Sequence, residues 1–255
     1  MVLLRRGPEL LYSPANQQGS GRISLNLAIA MPMRNTLIAA LLLLVAPLLP
    51  AAEELIVVGD GVELKSLFFQ PEDNGNPPRL AVFVTEGSNN EFMARGQFWI
   101  GRELVRRGWA VAMPISPGGR GYFVENHELI PDLISRLYEV HELSGTRPLL
   151  VGVSSGGSAA LILAARHPEK YLGVVATPGR IKEEDESEGF TDLAGMQVYL
   201  RVGEKDNFHW NRGLDHTVEV LTLGGARVDA AIVPDAKHIF RPDWENLEAW
   251  LKNLK

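Results

Sequence analysis

The chain has 255 residues, of which 45% are hydrophobic and 22% are charged, and its formal net charge is −6. This composition is ordinary for a globular protein, and the length suits one domain or at most two small ones. The negative charge disfavours nucleic-acid binding, which needs concentrated lysine and arginine. The sequence contains no cysteine, which excludes disulfides, thiolate zinc sites and a thiol nucleophile.

An apolar run over Leu37–Leu49 follows Arg34 and ends in small residues at Ala52. The run is short for a bilayer span, which takes about 20 residues. A positive charge, an apolar stretch and small residues in this order are typical of a secretory signal peptide. We therefore expect a signal peptide over residues 33–52 and an exported protein, periplasmic or secreted, with no membrane span once the signal is removed.

Met31 and Met33 stand just before this signal-like segment, and each is a candidate start of translation. Residues 1–32 are then an upstream artefact or a disordered segment, and residues 53–255 form the mature domain. An anchoring or core helix is the alternative interpretation of the apolar run.

Strand and helix patterns alternate through the rest of the chain. The expected strands are 54–58, 63–69, 80–85, 109–115, 148–153, 171–176, 197–202 and 228–233. The expected helices are 97–107, 127–143, 155–167, 217–223 and 244–254. This order predicts an α/β fold with a mostly parallel central sheet, helices on both faces, and little or no cap.

The sequence Gly152-Val153-Ser154-Ser155-Gly156 lies between an expected buried strand and an expected helix. It matches the G-x-S-x-G motif, in which a sharp strand-to-helix turn pushes a serine hydroxyl out at the carboxyl end of the sheet. Small residues two positions before and after the serine leave room for neighbouring chain. Ser154 is therefore the candidate nucleophile.

A serine hydroxyl needs a base, usually histidine, and the histidine is oriented by a carboxylate. His238 follows the last expected strand and is the preferred base, with His209 as the alternative. Asp206 follows the strand that ends near Val202 and is the preferred acid, with Glu204 as the alternative.

The Gly152–Gly156 motif, the Gly203–Asp206 segment and the loop around His238 resemble the α/β-hydrolase family. The resemblance is to compact esterases of the dienelactone-hydrolase and carboxylesterase kind. It implies a Ser–His–Asp triad of Ser154, His238 and Asp206 and an acyl-enzyme intermediate. It also implies no cofactor and a small-molecule acyl substrate, an ester, thioester or amide. Motifs with metal-ligand spacing are absent from the sequence, and no metal is expected.

Many relatives carry His-Gly after the third strand, whereas this chain has Glu86-Gly87. A backbone donor does not depend on its side chain, so the N–H groups of Ser88 and Ser155 are the expected oxyanion donors. Gly87 or Asn89 is the alternative to Ser88.

The expected activity is that of a serine hydrolase that cleaves a carboxylic ester or thioester through an acyl-serine intermediate. A peptidase or amidase on the same fold is one alternative, because the fold does not fix the leaving group. A non-catalytic periplasmic binding protein is the other. Arg120 lies in a loop at the expected pocket rim, where it either meets an anionic substrate group or is a solvated loop residue. Four aromatic residues lie in loops expected near the site and either line an acyl or aromatic pocket or only pack: Tyr122, Phe123, Phe208 and Trp210.

Overall fold

The computed structural model describes residues 52–59, 61–85, 91–119 and 127–254. The signal peptide and start site predicted for residues 1–52 therefore lie outside the described residues, except for Ala52. Over the described ranges, no helix is both long enough and apolar enough to cross a membrane.

The described elements alternate much as the sequence predicts. The strands are β1 (Ala52–Val58), β2 (Val62–Phe69), β3 (Arg79–Val84), β4 (Trp109–Ile115), β5 (Leu149–Gly152), β6 (Gly173–Ala176), β7 (Gln197–Gly203) and β8 (Arg227–Val233). The helices are α1 (Glu91–Gln97), α2 (Trp99–Arg106), α3 (Leu129–Val140), α4 (Ser155–Arg166), α5 (Leu214–Leu223) and α6 (Trp244–Lys252). Short 3-10 turns lie at Pro117–Gly119, Pro168–Lys170, Glu183–Glu188 and Trp210–Gly213.

The eight strands form one sheet in the order β1-β2-β4-β3-β5-β6-β7-β8. β2 pairs antiparallel with both β1 and β4, and all other neighbours are parallel. The carboxyl ends of β5, β7 and β8 therefore meet at one edge, where open α/β sheets bind ligands. This is the mostly parallel central sheet that the sequence predicts.

The sheet is buried on both faces, which explains the nearly continuous apolar runs of its central strands. Along β3, Leu80, Val82 and Val84 pack into one core layer, whereas Ala81 and Phe83 pack into the other. The first layer is closed by α3, α4 and α5, and the second by α1, α2 and α6. This two-sided packing fixes the strand ends on which the site is built.

One expected helix differs from the structure. The segment 97–107 was expected to be a single helix, but α1 already covers Glu91–Gln97 and a turn at Phe98 separates it from α2. The Phe98 ring packs against Gly101, where an added Cβ would lie 2.4 Å from a ring carbon. The break therefore turns an apolar side chain into the core between two short helices.

Candidate active site

Ser154 lies in the turn between β5 and α4, with a φ of 56° and a ψ of −127°. A positive φ is uncommon for a residue other than glycine, and it stores strain that the surrounding packing must hold. A Cβ on Gly152 would lie 2.2 Å from the Gly156 carbonyl oxygen, and a Cβ on Gly156 would lie 2.2 Å from that of Val84. Both glycines are therefore required, because Gly152 lies against the backbone of Gly156, and Gly156 lies against the backbone of β3.

Three side chains form a hydrogen-bonded row at this end of the sheet. Ser154 Oγ lies 2.7 Å from His238 Nε2, and His238 Nδ1 lies 2.8 Å from Asp206 Oδ2. Their exposed fractions are 9% for Ser154, 6% for His238 and 3% for Asp206, so the row is shielded from bulk water. With its Nδ1–H donating to the carboxylate, the imidazole accepts at Nε2 from the serine hydroxyl.

The Asp206 carboxylate is oriented by its own turn and by the loop that carries His238. Its Oδ1 accepts a hydrogen bond of 2.7 Å from the Phe208 backbone N–H. The backbone N–H of Lys205 donates to the Ala236 carbonyl oxygen at 2.7 Å. A Cβ on Gly203 would lie 2.1 Å from the Lys237 carbonyl oxygen. Acid and base therefore sit on two loops that contact each other backbone to backbone.

Glu204 and His209, the alternative acid and base, lie outside the hydrogen-bonded row. Glu204 is exposed, and its carboxylate accepts a hydrogen bond from the Asp235 N–H at 2.9 Å, so it braces the loop instead of facing the imidazole. His209 is exposed. His167 and His216 each lie beside a glutamate outside the site. Among the described histidines that follow the serine, His238 is the one hydrogen-bonded to it.

One of the two expected oxyanion donors is described. Ser155 follows Ser154 and is the first residue of α4, so its backbone N–H lies at the positive end of the helix dipole. Ser88 and its alternatives Gly87 and Asn89 lie outside the described residues. The donor on that loop stays a prediction.

A cleft of about 370 Å³ opens beside the row, lined by Ser154, Asn207, Phe208, Lys237, His238 and Ile239. The rings of Phe208 and Trp210 meet the imidazole edge-on, with centroids 4.7 and 5.0 Å away. The Arg180 guanidinium lies 4.6 Å from the centre of the Trp210 ring. These contacts limit rotation of the imidazole. Arg120, Tyr122 and Phe123 lie outside the described residues.

The sequence analysis missed Asn207, Lys237 and Ile239, although each is next to or one residue from a candidate site residue. Adjacency to Asp206 and His238 was the available signal.

The sequence analysis also missed the helix α1, which ion pairs link to β2. Glu91 lies 2.5 Å from Lys65 and 2.8 Å from Arg95, and hydrogen bonds from these cations lower the pKa of Glu91 to about 2.

Residues 123–254 match the family model described as "Putative esterase". The chain belongs to this esterase family. The match covers the turn that carries Ser154 and both loops that carry Asp206 and His238. A search of the curated proteins gives no match to the sequence.

Solved structures similar to this esterase-family chain share its fold at low identity. An esterase from Pyrococcus furiosus is 15% identical with a TM-score of 0.65, over 81% of this chain and 92% of the other. A phospholipase/carboxylesterase from Dyadobacter fermentans is also 15% identical, with a TM-score of 0.57 over 71% and 92%. An acylaminoacyl peptidase from Pyrococcus horikoshii is 14% identical with a TM-score of 0.56, over 74% of this chain but only 37% of its own. The fold is therefore that of α/β-hydrolases.

Proposed function

We propose that this esterase-family protein cleaves a carboxylic ester through an acyl-serine intermediate, with Ser154 as nucleophile, His238 as general base and acid, and Asp206 as orienting carboxylate. The observation that carries the proposal is the buried row of two short hydrogen bonds that ends on a serine with strained backbone. In such a row the serine attacks the carbonyl carbon, the histidine takes and returns protons, and the carboxylate orients the histidine.

In the first step, the Ser154 oxygen bonds to the ester carbonyl carbon while His238 Nε2 takes the hydroxyl proton. The carbonyl oxygen becomes an oxyanion, which the Ser155 N–H and a second backbone donor stabilise. The tetrahedral intermediate collapses, the carbon–oxygen bond to the alcohol breaks, and His238 gives its proton to the departing oxygen. The alcohol leaves, and the acyl group stays on the serine.

In the second step, a water molecule attacks the acyl carbon while His238 takes one of its protons. Collapse of the new tetrahedral intermediate breaks the bond to Ser154, and the proton returns to the serine oxygen. The products are the carboxylic acid and the free enzyme. Asp206 keeps Nδ1 protonated throughout and stabilises the imidazolium that forms in each half-reaction.

Labelling with a fluorophosphonate probe tests the assignment directly, because the probe reacts with an activated serine. We expect one label on Ser154, no label on Ser154→Ala, and a loss of ester hydrolysis on the order of 10⁶-fold in that variant. Ser135→Ala, which removes a serine hydroxyl from α3, is the matched control and keeps its label. Full activity in Ser154→Ala contradicts the proposal.

The alternatives give different results in the same experiment. A non-catalytic binding protein takes no label and turns over neither esters nor peptides. A peptidase or amidase takes the label but prefers peptide or amide substrates in a matched panel. The acylaminoacyl peptidase matches over only 37% of its own length, whereas the esterase from Pyrococcus furiosus matches over 92%. The family model is also that of an esterase, so ester hydrolysis is our choice.

We also propose that the protein acts after export, because residues 33–52 have the order of charge, apolar stretch and small residues of a signal peptide. Sequencing the N-terminus of the exported protein tests this. A start near residue 53 is the expected result, and a mature protein that begins at Met1 contradicts it.

A further inference from the structure

A second cavity of about 230 Å³ adjoins the cleft at the candidate nucleophile. Phe92 and Met93 of α1 and Trp99 of α2 form one wall, and Val153 and Ile239 form the other. We call this cavity the apolar pocket. Val153 immediately precedes the nucleophile, and Ile239 also lines the cleft. The two cavities therefore share Ile239, which follows His238 in sequence.

The walls of the apolar pocket are suited to hydrocarbon. None of the described residues that line it is ionisable, and Gln97 is the one amide among them. Phe92 is 83% exposed and Ile239 is 49% exposed, although both are large apolar side chains. Exposed apolar groups that gather at a concave site mark a place where an apolar ligand binds. The cleft on the other side of Ile239 is different, because Asn207, Lys237 and His238 line it.

The direction of proton transfer assigns the two cavities. His238 Nε2 must reach the departing alcohol oxygen, so the alcohol portion of the ester lies on the cleft side, where His238 is a wall residue. The acyl portion stays on Ser154 and extends away from the imidazole. The apolar pocket shares Ile239 with the cleft, and Val153 of its wall immediately precedes Ser154, so we assign the acyl portion to this cavity.

We propose that the apolar pocket holds the acyl chain, so that the protein prefers esters of medium-chain fatty acids to acetates. This inference rests on the proposed function and adds the substrate class. A methylene group takes about the volume of a water molecule, roughly 30 Å³, so the pocket accepts a chain of about six to eight carbons. Each buried methylene raises kcat/KM about threefold to fourfold.

Gly96 offers a way to fill the pocket without disturbing the fold. It lines the pocket from α1, and an added Cβ meets no atom within 4 Å. Gly96→Leu therefore adds four carbons in open space and also removes a helix-destabilising glycine. Gly145→Leu is the matched control. Its Cβ likewise meets nothing within 4 Å, and it precedes β5, at the edge of the sheet opposite the serine.

The experiment measures kcat/KM on p-nitrophenyl acetate, butyrate, hexanoate, octanoate and decanoate for the full chain and both variants. We expect at least a tenfold rise from acetate to hexanoate and an optimum at six to eight carbons in the unmodified chain. In Gly96→Leu the octanoate-to-acetate ratio falls at least tenfold, and in Gly145→Leu it stays within twofold. Phe92→Ala, at an exposed position, serves as a second variant and lowers the same ratio by removing one wall.

Two results overturn the inference separately from the proposed function. The first is a flat chain-length profile, or equal profiles in Gly96→Leu and Gly145→Leu, while the protein still hydrolyses acetate and takes the fluorophosphonate label at Ser154. This result contradicts the acyl pocket but keeps the proposed serine hydrolase. The second is a protein that takes no label and hydrolyses none of the five esters, which contradicts both the acyl pocket and the proposed function.

Discussion

The turn that carries Ser154 is held mainly by backbone packing, whereas the loop that carries His238 combines one close backbone contact, at Gly203, with several hydrogen bonds to a second loop. In the turn, the atoms that fix the geometry are carbonyl groups of Val84 and Gly156 lying where a Cβ would be. In the loop, Glu204 and Lys205 reach across to Asp235 and Ala236. Steric fixation allows almost no substitution, but a network of several hydrogen bonds tolerates the loss of one. The two regions should therefore respond very differently to mutation.

The largest effect is expected in the serine turn. Gly156→Ala places a Cβ 2.2 Å from the Val84 carbonyl oxygen, so β3 or the turn must move. We expect the free energy of unfolding to fall by about 3 kcal/mol or more, with ester hydrolysis abolished. Thermal unfolding and kcat/KM measure the two effects. Gly213→Ala, where the Cβ meets nothing within 4 Å, is the control, and an equal loss in that variant contradicts the steric explanation.

The next largest effect is a fall in kcat that distinguishes Asp206 from Glu204, the two acids beside the loop that carries His238. Asp206→Asn loses the carboxylate that keeps Nδ1 protonated and stabilises the imidazolium, and kcat should fall about 10³- to 10⁴-fold. Glu204→Gln still accepts the hydrogen bond from the Asp235 N–H and should lose less than tenfold. Steady-state kinetics on one ester compare the variants. A greater loss in Glu204→Gln would reverse the roles given to the two acids.

A smaller effect tests the strain at Ser154 itself. At a φ of 56° glycine is comfortable and alanine is not. Ser154→Gly should therefore be more stable than Ser154→Ala by about 1 kcal/mol, although both are inactive. Chemical denaturation of the two variants under the same conditions gives the difference. If Ser154→Ala is the more stable of the two, the turn stores no strain of this kind.

The smallest effect is expected at Glu91, which is far more exposed than the site residues. Because its pKa is lowered to about 2 in the folded chain, Glu91 adds stability above its ordinary pKa of 4.5 and loses that contribution as the pH falls towards 2. Glu91→Gln should therefore destabilise by less than about 1 kcal/mol at pH 7, with a smaller difference at pH 3. Denaturation at both pH values checks the trend, and a difference that grows at low pH contradicts it.

The sequence predicts the serine turn well because all of its determinants are contiguous. Gly152 and Gly156 are close along the chain, and the buried strand and helix around them are strongly patterned. The α/β architecture follows in the same way from alternating elements. The catalytic roles of Ser154, Asp206 and His238 stay predictions until the labelling experiment is done.

The local sequence pattern does not show which segments that are distant along the chain come into contact in the fold. Asp206 and Glu204 both follow the same strand, and only the folded turn directs one inward and the other to solvent. The helix α1 is missed because Phe92 points outward and Arg95 and Gly96 interrupt any apolar face. Its wall of the apolar pocket therefore has no signal in local periodicity, because the pocket forms only when α1 meets Val153 and Ile239.

The backbone contact between Gly203 and Lys237 makes the acid and base segments one mechanical unit. Separating the two segments would break the hydrogen bond from the Glu204 N–H to the Val233 carbonyl oxygen and that from the Lys205 N–H to the Ala236 carbonyl oxygen together. The amide protons of Glu204 and Lys205 should accordingly exchange with deuterium at a common rate.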